Sequence, residues 1–128
     1  HRIRKITADG TVSTLAGCGW PGHLDGPAVS AQFDFPFGLA VDAAGNVFVA
    51  DENNHVLRRI APDGTVSTLA GKCTHASCGF VDGAGGSAAF NFPRGLAIEA
   101  SGEAASLKDA VQQETRDWYE ERGGELQG

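Results

Sequence analysis

The nonapeptide DGTVSTLAG stands at Asp9–Gly17 and again, letter for letter, at Asp63–Gly71. The duplication is wider than these nine residues. HRIRKITADGTVSTLAG at His1–Gly17 matches HVLRRIAPDGTVSTLAG at His55–Gly71, an offset of 54. The segment from Asp25 to Gly45, ending in AQFDFPFGLAVDAAG, matches Asp82–Gly102, ending in AAFNFPRGLAIEASG, an offset of 57. Three extra residues therefore fall between Gly71 and Asp82. Insertion in one stretch, with the flanks keeping step, marks a structural repeat whose variable loops lie on one face.

Within a repeat, the pattern predicts short strands. Gly38–Ala43 (GLAVDA) and Asn46–Asp51 (NVFVAD) run apolar or alternate, with Ala44-Gly45 as a tight connection. His55–Ala61 follows the polar corner Glu52-Asn53-Asn54, and Thr65–Gly71 follows the turn signal Pro62-Asp63-Gly64. Four strands joined by three short turns form an antiparallel meander. A meander repeated at this period predicts a propeller blade.

The stretch FPFGLAVDAAGNVFVADENNHVLRRIAPDGTVSTLAG, Phe35–Gly71, resembles an NHL repeat, the propeller repeat named for an Asn-His-Leu motif. The motif stands here as Asn54-His55-Val56-Leu57, one residue longer than its name. The resemblance covers residues 1–102, with two departures. Glu99 stands where the preceding repeat has Asp42, and nothing after Gly102 resembles NVFVAD. The expectation is an all-β, incomplete β-propeller of four-stranded antiparallel NHL-type blades. It has a partial blade at 1–17, a full blade at 38–71 and the start of a third at 90–102. Those boundaries hold seven strands, against at least four blades of four in a closed propeller. The reading is of a piece of a larger propeller, the alternative being a complete small protein that assembles as an oligomer; self-association through open blade edges is expected of the isolated chain.

Residues 103–128 change character. They carry seven acids and three bases, most of the net charge of −6, and are rich in helix formers. Ser106 and Asp109 have capping-box spacing, and Leu107, Ala110, Val111, Glu114 and Trp118 follow helical spacing. A helical, acidic tail is predicted there. Residues 1–102 hold nine acids and seven bases, without the basic excess that phosphate backbones require. Nucleic acid is not expected, and no apolar run is long enough to span a bilayer.

Strand direction places the corner Asp51–Asn54 on the same rim as the long loops Cys18–Phe37 and Lys72–Arg94. The short turns at 43–46 and 61–64 take the opposite face. Long loops on a rigid scaffold are where binding usually resides. The candidate binding residues are His23, Asp25, Asp51, Asn54, His75, Asp82 and Arg94. Asp25-Gly26 and Asp82-Gly83 recur, as do Asp42 and Glu99, and such acids serve more often as turn caps than as ligands. His55 repeats as His1, which favours a structural hydrogen-bonding role. Arg2, Arg4, Lys5, Arg58 and Arg59 lie on third strands. Some NHL proteins bind RNA, but recurrence at matching positions favours pairing with the acids.

Three cysteines, Cys18, Cys73 and Cys78, lie in the long loops. Zinc held by Cys18, His23, Cys73 and His75 or Cys78 would match no standard spacing, and no metal is expected. Cys73 and Cys78 are the disulfide candidate: a local crosslink would offset the ordering cost of the longer loop. Such a bond implies an extracellular or luminal setting. There is no Gly-x-Ser-x-Gly elbow, His-Glu-x-x-His or phosphate-binding loop. The function expected is a non-enzymatic scaffold that binds a protein partner through the loop rim, without a cofactor. The alternative, implied by the resemblance alone, is part of a metal-dependent propeller lyase or hydrolase.

Overall fold

The computed structural model describes residues 1–72 and 79–98, and the backbone strand at 110–113. Eight strands form three antiparallel sheets. The first pairs β1 (Ile3–Ile6) with β2 (Val12–Ala16). The second runs β3 (Pro36–Val41), β4 (Val47–Asp51), β5 (Val56–Ile60) and β6 (Val66–Ala70), in chain order. The third pairs β7 (Gly95–Ile98) with β8 (Ala110–Gln113). The protein is all-β; its helical content among the described residues is one 3₁₀ turn, Glu52–Asn54.

The repeated nonapeptide builds the same object twice. Asp9 and Asp63 accept the backbone N–H of Thr11 and Thr65, closing the turn before β2 and β6. Asp9 also takes the Thr7 hydroxyl. These bonds hold both carboxyls below the ordinary carboxylate range: for Asp9 the Thr7 hydroxyl is the larger cause, for Asp63 the Thr65 amide. Gly17 and Gly71 end the two copies at φ +106° and +101°. A side chain there would strike the backbone of His1 and of His55 respectively, so glycine is required twice over.

Each copy also carries a bulge. Leu57 faces Ala70, but Arg58 faces Thr68; Ile3 faces Ala16, but Arg4 faces Thr14. The pleat sends neighbouring side chains to opposite faces, and the skipped residue puts Val66 and Ala70, four apart on one strand, on opposite faces as well. The central sheet is consequently covered on both. On one side Val49, Ile60 and Val66 pack with Ile3, Ala16, Ala31 and Phe33, from the first sheet and its following loop. On the other, Ala50, Leu57 and Ala70 pack with Phe90 and Leu96. Period-two alternation along β4, with Val49 to one side and Ala50 to the other, is how a strand buried on both faces reads.

The helix expected over 103–128 is corrected at its one described segment. Ala110–Gln113 is a strand whose four residues pair with Ile98–Gly95, in antiparallel register. An isolated helix of this length is marginal in water. The edge of β7 offers a row of backbone donors and acceptors that a strand satisfies. The chain therefore holds eight strands rather than seven among the described residues. The rest of the predicted helix lies outside them.

Candidate functional site

The loop between β2 and β3 is fastened to the central sheet around one side chain, Arg58. Arg58 points from β5 into the space beneath the loop, and its side chain is 0% exposed. One terminal nitrogen donates to Asp51 Oδ2 at 2.9 Å and to the carbonyl of Gln32 at 2.8 Å. The other donates to Asp25 Oδ1 at 2.7 Å and to the carbonyl of Leu24 at 3.0 Å. The guanidinium also lies over the ring of Phe33, 4.8 Å from its centroid. Its Nε is buried without a hydrogen bond. A buried cation is tolerable only with this density of partners.

Asp51 completes the lower half of the knot. Its side chain is as deeply buried as that of Arg58. It accepts the Asp34 N–H at 2.9 Å and the Asn54 side-chain amide at 2.7 Å. Burial pushes its carboxyl above the ordinary range, opposed by Asn54, the Asp34 N–H and Arg58. Asn54 also donates to the Gly22 carbonyl at 2.8 Å, tying the 3₁₀ corner to the loop. Two backbone bonds reinforce the tie: Glu52 N–H to Phe35 and Asn53 N–H to Asp34.

Asp25 works from the solvent side, with its side chain 45% exposed. It accepts the Thr68 N–H and hydroxyl as well as Arg58. His23 is hydrogen-bonded through Nε2 to the same hydroxyl at 2.8 Å. Partial burial, then the positive charge of Arg58, push the imidazole below its ordinary value. Gly26 and Val66 exchange both backbone hydrogen bonds, so the loop adds a short rung beside β6.

Four of the predicted site residues, His23, Asp25, Asp51 and Asn54, thus form one cluster. Arg94 stands nearby on the next connection, donating to Glu52 Oε2 at 3.1 Å and stacking over Phe37 at 4.0 Å. Asp82 is exposed in the second long loop. His75, Cys73 and Cys78 lie outside the described residues. Cys18 is free, with its sulfur 3.9 Å from the Trp20 carbonyl. The repeated histidines are structural. His1 accepts the Phe35 N–H and His55 the Phe92 N–H, each stacked edge-on against that phenylalanine. Both phenylalanines have positive φ, so each histidine pins a left-handed turn.

The sequence reading did not single out Arg58 as the hub, nor Thr68 and Asp34 as its supports. A signal was available: strand alternation puts Arg58 on the same face as Ile60, which is core. Among the described residues no three His, Cys, Asp or Glu side chains are grouped to hold a metal ion.

Stacked antiparallel sheets with a clamped loop between them define a propeller-type repeat protein. The chain contains an NHL repeat: the model of that repeat family matches residues 33–59. Protein SUPPRESSOR OF QUENCHING 1, chloroplastic, of Arabidopsis thaliana is 44% identical over 61 residues. That match covers 47% of this chain and 6% of the relative's length. A structural genomics protein of unknown function from Bacteroides thetaiotaomicron superposes over 87% of the chain and 29% of its own, with a TM-score of 0.71 and 29% identity. An auxiliary nutrient binding protein from the same organism matches 87% of the chain and 32% of its own, at TM-score 0.65 and 21% identity. The chain thus spans less than a third of each solved structure, and the last likeness bears on fold alone.

Proposed function

We propose that the chain is a non-enzymatic NHL-repeat scaffold that binds another protein through the rim formed by Cys18–Phe37, Asp51–Asn54 and Lys72–Arg94. One observation carries the reading: the Arg58 knot fixes the first loop through its backbone carbonyls and Asp25, while its large apolar side chains other than the buried Phe33 stay outside. Trp20 is 74% exposed, and Val29, Phe35 and Phe37 are also exposed on or beside this loop. Exposed aromatics held on a pre-ordered loop suit a protein interface, because little conformational freedom is left to lose on binding. Internally satisfied carboxylates and amides, by contrast, have few free lone pairs for a small polar ligand.

A photo-reactive residue at position 20 identifies the partner by crosslinking. Affinity for that purified partner is then expected to fall at least about tenfold in Trp20→Ala, a typical loss for an aromatic anchor. Replacing the Lys72–Arg94 loop by a Gly/Ser linker is expected to weaken binding too. Substitutions of Ala43 or Ala44, in the short turn at 43–46 at the other end of the strands, should leave it unchanged. Equal affinity for wild type, Trp20→Ala and the loop replacement removes the assignment.

A further inference from the structure

The stretch Phe33–Gly45 and its copy Phe90–Gly102 differ at five positions. Four of the changes are small: Asp34 to Asn91, Val41 to Ile98, Asp42 to Glu99 and Ala44 to Ser101. The fifth puts Arg94 where the earlier copy has Phe37. The two side chains meet, the guanidinium of Arg94 lying over the ring of Phe37 with 4.0 Å to its centroid. The fold accepts a ring or a cation at this place, so the choice of a cation answers to something other than the fold.

Arg94 and Arg58 use their donors in opposite ways. Arg58 spends both terminal nitrogens inside the protein and leaves Nε without a hydrogen bond. Arg94 gives Nε to Glu52 Oε2 at 3.1 Å, and its two terminal nitrogens make no hydrogen bond among the described residues. Its side chain is 37% exposed, whereas that of Glu52 is 10% exposed. The residue is nonetheless held firmly. Glu52 is anchored by its own N–H to the Phe35 carbonyl. The Arg94 carbonyl packs so closely on Gly38 that a Cβ there would collide with it, which fixes the backbone of residue 94 against β3. A planar guanidinium backed by a ring, tied at Nε and free at its two terminal nitrogens is a pre-ordered fork for a carboxylate.

We propose that Arg94 recognises an acidic side chain of the protein partner, taking the carboxylate of an Asp or Glu through its two terminal nitrogens while Glu52 and Phe37 hold the guanidinium in place. The inference rests on the loop-rim reading above and adds the chemistry of the partner: a segment that brings one carboxylate to the base of the second long loop. A single carboxylate suits the site better than a phosphate chain. Residues 1–102 hold nine acids and seven bases, so a polyanion would gain from one fork and be repelled along the rest of the surface. A carboxylate that enters alone meets only the fork.

The test uses the whole 128-residue chain, immobilised, and a phage-displayed library of random linear peptides as the probe. Retained peptides are synthesised and titrated against wild type, Arg94→Phe, Arg94→Lys and Trp20→Ala. Arg94→Phe installs the residue of the preceding repeat; Arg94→Lys keeps the charge but has no planar fork. Each retained peptide is expected to hold an Asp or Glu whose change to Asn or Gln lowers affinity for wild type at least about tenfold. The same change is expected to have no effect on affinity for Arg94→Phe, and Arg94→Lys is expected to bind more weakly than wild type. The peptide substitutions are read on wild type, so they decide the matter even where a variant unfolds. Peptides whose acid can be replaced without loss, peptides bound equally by wild type and Arg94→Phe, or no retained peptide at all would each overturn the proposal. Retention of an oligouridine RNA in place of peptides, lost in Arg94→Phe, would make the fork a phosphate site and overturn it too. Peptides that need Trp20 but not Arg94 sustain the loop-rim reading and remove this one; peptides that need Arg94 but not Trp20 sustain this one and remove Trp20 as the anchor.

Discussion

Arg4 and Arg58 hold the same position in two copies of one repeat, and they meet opposite fates. Both stand one residue after an apolar core residue, both sit beside the bulge, and both face a threonine on the next strand. Arg58 is wholly buried and tied to two carboxylates and two carbonyls. Arg4 is exposed at the margin of an open cavity. The difference lies in what surrounds each strand. Arg58 has β4 beside it to supply Asp51 and a long loop above it to supply Asp25, Leu24 and Gln32. The matching local sequence specifies the strand and the turn; the burial of its arginine is decided by the neighbours.

The largest expected effect breaks that comparison outright. Arg58→Ala leaves Asp51 buried without its cation and should cost about 3–5 kcal/mol, a large part of a total stability of about 5–15 kcal/mol. Arg4→Ala should lie within about 0.5 kcal/mol of wild type, as exposed substitutions do. Urea unfolding of the two variants checks both. Similar losses at the two positions would mean that the Arg58 knot contributes little.

A finer division separates the two carboxylates of the knot. Asp51→Asn removes a charge partner from a site shut off from water, and should cost about 1.5–3 kcal/mol, in the range of hydrogen bonds to charged groups. Asp25→Asn acts where solvent screens the pair and should cost about 1 kcal/mol or less. The order of the two unfolding midpoints tests whether the knot is anchored from the sheet side or from the loop side.

The smallest expected effect is a pH dependence. The folded state holds His23 below its ordinary value of 6.5, so below that pH the unfolded chain binds more protons than the folded one. Stability contributed by neutral His23 is therefore present above 6.5 and lost as pH falls towards the folded value. Between about pH 7.5 and about pH 5.5 the wild-type midpoint should fall further than that of His23→Gln. Parallel curves would place His23 outside the Arg58 field.

These contrasts also mark how far the residues alone could be read. The duplicated nonapeptide, the turn glycines and the alternation of β4 are short-range signals, and they are enough for antiparallel strands and a propeller-type fold. The rim cluster was partly legible, since Asp25, Asp51 and Asn54 stand at corners of the meander. Arg58 as its hub was less legible, because its partners lie up to 34 residues away and three are backbone carbonyls or a residue on another strand. The segment at 110–113 was misread for a related reason. Its composition favours a helix, and the open edge of β7 that turns it into a strand is a tertiary feature with no local signature.

Amide hydrogen exchange in the wild-type chain tests the central claim, that Arg58 and Asp51 convert a long loop into a fixed rim of the sheet. The Asp34 N–H, bonded to Asp51, and the Gly26 N–H, bonded to Val66, are loop amides with no part in a regular strand. Both are expected to be protected to the same degree as amides of β4 and β5, because all open together. Exchange of Asp34 and Gly26 at the rate of unprotected loop amides, while β4 and β5 stay protected, would contradict the account.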